Sequence, residues 1–180
     1  MTARLKDKYI GEVVPKLQAE LGLKNNLAVP RITKVVISIG LGEAKDNQGI
    51  LDKVSLYLMA LAGQFPVVTK AKKSIANFKL GKGQPVGMMV TLRKGKMYSF
   101  LDKLINIVLP KVRDFKGIPQ RSFDASGNLN IGLKEQTIFP EVDYKLVDKT
   151  RGLAITIATT AKNKNEGRKL LEYLGIPFRS

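Results

Sequence analysis

Apolar side chains recur every three or four residues in four stretches of the chain, and this spacing predicts four amphipathic helices. The first helix covers residues 5–21 and should end at Gly22. Pro15 should either kink it or open a second short helix. The second covers residues 50–61, with Gly63 as its stop. The third covers residues 97–108 and should be broken by Pro110. The last begins after Asn163, with Glu166 in capping-box register, and ends at Gly175.

Between the helices, runs of alternating or β-branched residues bounded by Gly and Pro predict five strands. They lie at residues 31–39, 67–70, 86–93, 128–133 and 153–159. The order is a helix, then β-α-β-β-α-β, then β-α, and the inner unit has the split βαβ pattern. We therefore predict an α+β fold: a mostly antiparallel sheet with helices on one face, a split βαβ (ferredoxin-like or RRM-like) core, and N- and C-terminal helices. Residues 1–180 are predicted to form a single domain.

The alternation leaves polar side chains on the sheet face that the helices do not cover. They are Lys34, Ser38, Thr91, Arg93, Asn128, Asn130 and Thr156. A polar, positively charged open sheet suits RNA binding, but a face that is merely solvated has the same pattern. Alternation alone leaves both interpretations open.

Charge is distributed very unevenly along the chain, whose formal net charge is +16. Residues 53–101 contain nine Lys and Arg and no Asp or Glu. In the middle of this stretch, a loop at residues 70–85 combines Lys70, Lys72, Lys73, Lys79 and Lys82 with one aromatic residue, Phe78. Solubilising surfaces usually mix both signs of charge, so we favour binding to nucleic acid over a solubilising role. Phe78 either tethers the loop to the core or stacks on a ligand, and we favour the tether.

Several other classes of function are disfavoured by what the sequence lacks. Cys and His are absent, which removes the commonest zinc ligands and the commonest general base at neutral pH. No apolar run approaches the roughly 18 residues that span a bilayer, and residues 1–8 do not resemble a signal peptide. Gly40-Leu41-Gly42 lacks the third glycine of a dinucleotide fingerprint. We predict no enzyme activity, cofactor, bound metal, membrane partner or small-molecule substrate.

Acidic residues are concentrated in one segment of this basic chain. Residues 135–148 contain Glu135, Glu141, Asp143 and Asp148, with Lys145 as their one cation. Carboxylates alone form a metal site only where they converge, and nothing in the spacing indicates that. The segment is either a solvated loop or a docking surface for a basic protein, and we favour docking.

Several segments resemble the bacterial ribosomal large-subunit protein five family. The longest are GQFPVVTKAKKSIA at residues 63–76 and KEQTIFPEVDY at residues 134–144. Shorter matches lie at residues 90–93, 104–107, 112–117, 159–162 and 177–178. The matches follow the family order over essentially the whole chain.

The resemblance implies a structural role in translation on the cytoplasmic ribosome. Family members bind 5S rRNA through the open sheet face and help to attach it in the central protuberance, among large-subunit rRNA and neighbouring ribosomal proteins. Here the rRNA-binding candidates are Lys34, Ser38, Gln64, Thr91 and Arg93. The family's basic loop reaches P-site tRNA, which implies tRNA contacts for Lys70, Lys72, Lys73, Phe78, Lys79 and Lys82.

The resemblance also implies an intersubunit bridge to a basic protein of the small-subunit head. The candidates for it are Arg113, Lys116, Glu135, Glu141 and Asp143. Two positions depart from the family pattern: Ser38 stands where Asn is usual, and Phe65 stands where Lys is usual. The amide of Asn holds a hydrogen-bond donor and an acceptor in fixed geometry, whereas Ser has one short hydroxyl. An RNA contact at Ser38 is therefore expected to be weaker or water-mediated. The alternatives to a ribosomal role are a free-standing RNA-binding regulator and, more remotely, a phosphate-handling enzyme.

Overall fold

A five-stranded sheet is the central element of the protein in the computed structural model, which describes residues 3–45, 49–113, 115–143 and 147–179. The strands are β1 (Ile32–Gly40), β2 (Val67–Lys70), β3 (Pro85–Leu92), β4 (Leu129–Leu133) and β5 (Leu153–Thr159). Each lies within one residue of its predicted bounds. The strand order is β2-β3-β1-β5-β4, and β2 pairs with β3 in antiparallel fashion.

The predicted α+β class is confirmed. Helix α1 is made of three consecutive segments, Arg4–Lys8, Tyr9–Val13 and Val14–Leu21, and α2 is Gly49–Ala62. Helix α3 joins Lys94–Lys103, Leu104–Val108 and Leu109–Lys111, and α4 is Lys164–Leu174. As predicted, Gly22, Gly63 and Gly175 follow helix ends with positive φ angles, which glycine adopts without strain. Asn163 caps α4 by accepting a hydrogen bond from the Glu166 amide over 2.9 Å.

Both helical prolines follow a π turn. Pro15 comes after the π turn Tyr9–Val13, and Pro110 comes after the π turn Leu104–Val108. At Pro110, which was predicted to break α3, a new segment begins at Leu109 with the proline in its first turn, and the helix ends one residue later at Lys111. A wide turn changes the carbonyl ladder just before the proline, and this relieves the clash that its ring would otherwise make.

Two compact units are distinguished within the described chain. The first comprises Met1–Val35, Leu92–Ile131 and Thr156–Ser180, and the second comprises Val36–Thr91 and Gly132–Ile155. Whether residues 1–180 act as a single domain stays a prediction. The first unit buries the predicted apolar faces of α1 and α3, including Leu17, Leu101 and Leu104. The second unit buries Val54, Tyr57 and Leu58 of α2, together with Ile37 and Val90 of the sheet.

The C-terminal segment is paired with an internal loop of the first unit. The Ile118 amide donates to the Pro177 carbonyl over 2.9 Å, and the Arg179 amide donates to the Ile118 carbonyl over 3.0 Å. Gly117 has a φ of 89°, and a Cβ there would lie 2.7 Å from the Arg179 nitrogen. A glycine is therefore needed for the loop and the tail to approach each other.

Among the residues that the structure describes, no helix is both long and apolar enough to cross a membrane.

Candidate nucleic-acid interface

In the second unit, polar residues on the open sheet face are held by short connections to the core. Ser38 and Thr91 are half-buried, while their strand neighbours Ile37, Ile39 and Val90 are buried, as the alternation predicts. Gln64 follows the glycine that ends α2, and its Nε2 donates to the Thr91 carbonyl over 3.3 Å. Gln64 and Thr91 therefore lie side by side, as one polar site.

Apolar side chains are exposed next to this site. Val67 of β2 pairs with Met89 of β3, so both lie on the same face of the sheet, and they are 62% and 37% exposed. Phe65, one residue after Gln64, is 69% exposed. We name the set Ser38, Gln64, Phe65, Val67, Met89 and Thr91 the sheet patch. An exposed apolar patch that polar residues surround is typical of an interaction surface.

A glycine lets two strands of the patch approach closely. A Cβ on Gly87 of β3 would overlap the carbonyl oxygen of Ile39 and would also lie 3.2 Å from Thr69 Oγ1. The Leu41 amide donates to the Val86 carbonyl over 2.8 Å beside this contact. The backbone of β3 is thus held firmly under Met89 and Thr91.

The remaining rRNA-binding candidates, Lys34 and Arg93, belong to the first unit. Lys34 is half-buried on β1, and Arg93 is exposed where β3 gives way to α3. The polar row continues in this unit, where Thr156 Oγ1 donates to Asn130 Oδ1 over 2.7 Å. Asn128 is used internally, because it donates to Asp124 and accepts from the Thr159 amide.

The basic loop at residues 70–85 extends the β2–β3 pair as a second, smaller hairpin. The amides of Ile75 and Leu80 each hydrogen-bond across it, with N···O distances of 2.8 and 3.1 Å. Gln84 closes its base, since its carbonyl accepts from Ala71 and its Oε1 accepts from Gly81. No residue from 71 to 85 is buried, so hydrogen bonds define the loop, including one that Ser74 Oγ accepts from the Lys82 amide over 3.0 Å.

The cationic side chains of this loop project into solvent. Lys70, Lys72, Lys73, Lys79 and Lys82 are all exposed, and none forms an ion pair with another described residue. Phe78 is 70% exposed. The prediction that Phe78 tethers the loop to the core is therefore wrong. Ile75, its predicted neighbour in a tether, is itself 44% exposed, so the loop offers no core for the ring to enter.

The candidates for an intersubunit bridge fall into both units. Arg113 and Lys116 are exposed in the first unit, where they line an open groove with Arg121 and Arg179. Glu135, Glu141 and Asp143 are exposed in the second unit. Lys145, counted above in the charge of the acidic segment, lies outside the described residues.

Sequence reasoning missed a polar network that organises the acidic segment. Gln136 is fully buried, donates to the Lys149 carbonyl over 2.7 Å and accepts from the Arg151 amide. Arg151, which is 7% exposed, forms a bidentate pair with Asp148 at 2.6 and 3.0 Å. The Arg151 guanidinium lowers the pKa of Asp148 to about 2. The Asp148 carboxylate is thus paired with Arg151 of the same segment. The other exposed acidic side chains of the segment are Glu135, Glu141 and Asp143.

No group of three or more Asp or Glu within the described ranges is arranged to hold a metal ion. The interface candidates are therefore cations, amides, hydroxyls and exposed apolar groups. These suit contacts with phosphate, ribose and base better than they suit bond-making chemistry.

Comparison with known proteins identifies the family. The model of the family described as ribosomal protein L5 matches residues 25–80, and that of the ribosomal L5P family C-terminus matches residues 85–178. The chain belongs to the ribosomal protein L5 family. A large ribosomal subunit protein uL5 from Trichlorobacter lovleyi is 56% identical over 178 residues, covering 99% of both chains. Proteins of the same name from Acidobacterium capsulatum and Caldanaerobacter subterraneus are 55% and 56% identical and cover at least 98% of each chain.

Membership of the L5 family confirms the broad prediction. The chain is a structural protein of the large ribosomal subunit, an RNA-binding component that acts in translation in the cytoplasm. The family is not enzymatic, which excludes the phosphate-handling enzyme. Its partners include ribosomal RNA and other ribosomal proteins.

Proposed function

We propose that this L5-family protein binds 5S rRNA through the sheet patch and helps to attach it to the large subunit in the central protuberance. The observation that carries the proposal is the Gln64–Thr91 pair beside exposed Phe65, Val67 and Met89. A fixed amide and hydroxyl can select a ribose or base edge, while the apolar groups exclude water around it. Lys34 and Arg93 add charge that phosphates can neutralise.

The basic loop is proposed to contact P-site tRNA. Five exposed lysines without ion pairs to described residues form a positive tip, and Phe78 adds an exposed ring that can stack on a base. The absence of acids from residues 53–101 supports this role, since no neighbouring carboxylate in sequence competes with phosphate.

The segment that carries Glu135, Glu141 and Asp143 is proposed to meet a basic protein of the small-subunit head. The buried Gln136 and the Arg151–Asp148 pair hold the base of the segment, so these exposed acids are presented from a supported backbone. Arg113 and Lys116 would take part in the same intersubunit bridge from their own unit.

The central proposal can be tested by binding the purified protein to 5S rRNA and to an unrelated RNA of similar length. We expect tight binding to 5S rRNA that weakens steeply with salt, by about 0.7–0.9 logarithmic units per phosphate neutralised. Equal affinity for both RNAs at physiological salt would contradict specific recognition and would favour a nonspecific binder. Co-sedimentation with large subunits at moderate salt separates a ribosomal role from that of a free regulator.

A further inference from the structure

A groove in the first unit belongs neither to the sheet patch nor to the basic loop. Its volume is about 690 Å³. The lining residues lie at the starts of α1 and β1 and in the first two turns of α3, and all of them belong to the first unit. Pockets for small ligands usually have roughly 300–1,000 Å³, so a nucleotide-sized group fits this space.

The groove combines an apolar floor with a cationic rim. Ile32, Met97 and Tyr98 are buried side chains that line the floor. Lys6, Arg31 and Lys94 line the rim, and all three are exposed. No Asp or Glu is among the described residues that line it. Such a surface favours a ligand that has both an anionic part and a flat or apolar part.

The rim includes the N-terminus of α3, which has no internal cap. Arg93 at the N-cap makes no side-chain capping hydrogen bond, and the first turn contains no acid. Unpaired amides and the helix dipole attract anions to this end of a helix. A Cβ on Gly95 would meet nothing within 4 Å, and its φ is not positive. Neither packing nor backbone geometry thus requires glycine there, and its small size leaves the first-turn amides open to a ligand.

Tyr98 provides a second, independent indication of a ligand. Its side chain is 8% exposed, yet it lines the groove. Its hydroxyl has no hydrogen-bond partner among the described residues, whereas the hydroxyl of its neighbour Tyr9 donates to the Pro30 carbonyl over 3.0 Å. Burial raises the pKa of Tyr98, and the nearby Arg31 guanidinium opposes that shift. A protonated phenol facing a groove beside an arginine can donate to a phosphate oxygen.

We propose that this groove binds one nucleotide of a single-stranded RNA segment. The phosphate lies at the first turn of α3 between Arg31 and Lys94 and accepts a hydrogen bond from Tyr98. The ribose or base fills the groove above its apolar floor. A free phosphate would leave the apolar floor uncovered, which is why a nucleotide is favoured. This site is separate from the sheet patch and does not depend on which RNA the patch binds.

The test is an NMR titration of the ¹⁵N-labelled full chain with a five-residue oligouridylate, in which the chemical shifts of the backbone amides are measured. The expected result is saturable shifts at Gly95 and Met97. Tyr98→Phe and Lys94→Gln should each weaken binding at these amides about tenfold, the value of one charge-assisted hydrogen bond. Tyr98→Phe should leave the unfolding temperature unchanged, because the Tyr98 hydroxyl has no hydrogen-bond partner among the described residues to lose.

Matched controls distinguish binding from structural damage and from simple charge loss. Tyr9→Phe removes a hydroxyl that is used internally, so it should lower stability and leave affinity unchanged. Lys24→Gln removes the same charge as Lys94→Gln from an exposed position outside the groove, and it should have little effect on the affinity for the oligouridylate. Gly95→Ala should weaken binding, whereas Gly11→Ala, also in a helix with open space around an added Cβ, should not.

Several outcomes would overturn the proposal. They are the absence of shifts at Gly95 and Met97, an equal loss of affinity in Lys24→Gln and Lys94→Gln, and equal affinity for inorganic phosphate or a five-residue glutamate peptide. None of these bears on 5S rRNA binding by the sheet patch, which Gln64→Ala tests separately.

Discussion

The side-chain amide of Gln64 donates to the backbone carbonyl of Thr91 over 3.3 Å. This bond joins the loop after α2 to β3. Neither the side-chain oxygen of Gln64 nor the Thr91 hydroxyl is bonded to another described residue, so both can bond to a ligand. Two residues that are 27 positions apart in the sequence therefore act as one polar unit in the proposed 5S rRNA surface.

Removing either member of this unit should weaken 5S rRNA binding. Gln64→Ala and Thr91→Ala should each cost about 1–3 kcal/mol, because a polar group of the RNA would lose its partner in a desolvated contact. Filter binding measures the loss. The control is the double variant Lys72→Ala, Lys73→Ala, which should bind 5S rRNA nearly as well as the unaltered protein. If the loop variant loses more affinity, the roles of sheet and loop have been assigned wrongly.

Gly87→Ala should destabilise the protein by about 1–3 kcal/mol, since the new methyl group overlaps the Ile39 carbonyl and the strands must move apart. Gly132→Ala is the matched control, because Gly132 also lies in a strand but has open space around an added Cβ. Urea unfolding of both variants measures the difference. An equal effect at the two positions would show that the close strand contact is not needed.

Asp148 should stabilise the protein in a pH-dependent way. The pKa of Asp148 falls from 3.8 to about 2 on pairing with Arg151, so the stabilisation is present above pH 3.8 and is lost as the pH falls through about 2. Asp148→Asn should therefore lower the free energy of unfolding at pH 7 by about 1 kcal/mol after solvent screening, and by progressively less toward pH 2.

Urea unfolding at pH 7 and at acid pH checks this prediction. Glu12→Gln removes the same charge from an exposed helix position without an ion pair to any described residue, and it should leave the free energy of unfolding at pH 7 unchanged. A difference between the unaltered protein and Asp148→Asn that stays constant to pH 2 would contradict the assigned pairing.

The basic loop should exchange its amide hydrogens quickly in the free protein despite its hairpin hydrogen bonds. The Ile75 and Leu80 amides are bonded, but none of residues 71–85 is buried, and the five lysines repel one another. Hydrogen exchange should show weak protection here and strong protection at Val90, and ribosome-bound tRNA should slow exchange in the loop. Strong protection of residues 72–82 in the isolated protein would rule out ordering on binding.

The sequence predicted the secondary structure well because each element carries a local signal. The apolar spacing of α2 and the glycines after three helices depend on neighbouring residues alone, and so they could be read without tertiary information. The strand order could not be predicted in the same way. The chain order does not show that β5 lies between β1 and β4, since that pairing depends on contacts distant in sequence.

Buried polar groups were the residues that the sequence could not reveal. Gln136 and Arg151 occur in a polar segment, and nothing in their neighbours distinguishes them from exposed residues. Their burial depends on meeting each other and Asp148 in the folded chain. Phe78 shows the opposite error: an aromatic residue was expected to pack inward, but the loop has no core to receive it.

The pairing of the C-terminal segment with the loop at Gly117 and Ile118 ties an internal loop to residues far along the chain. Ile118 is buried, and both its amide and its carbonyl take their backbone partners from the segment that follows α4. Removing that segment would leave two buried backbone groups unpaired, at a cost in stability of about 1–3 kcal/mol for each group. The segment after α4 is therefore a structural part of the first unit and not an appendage to it.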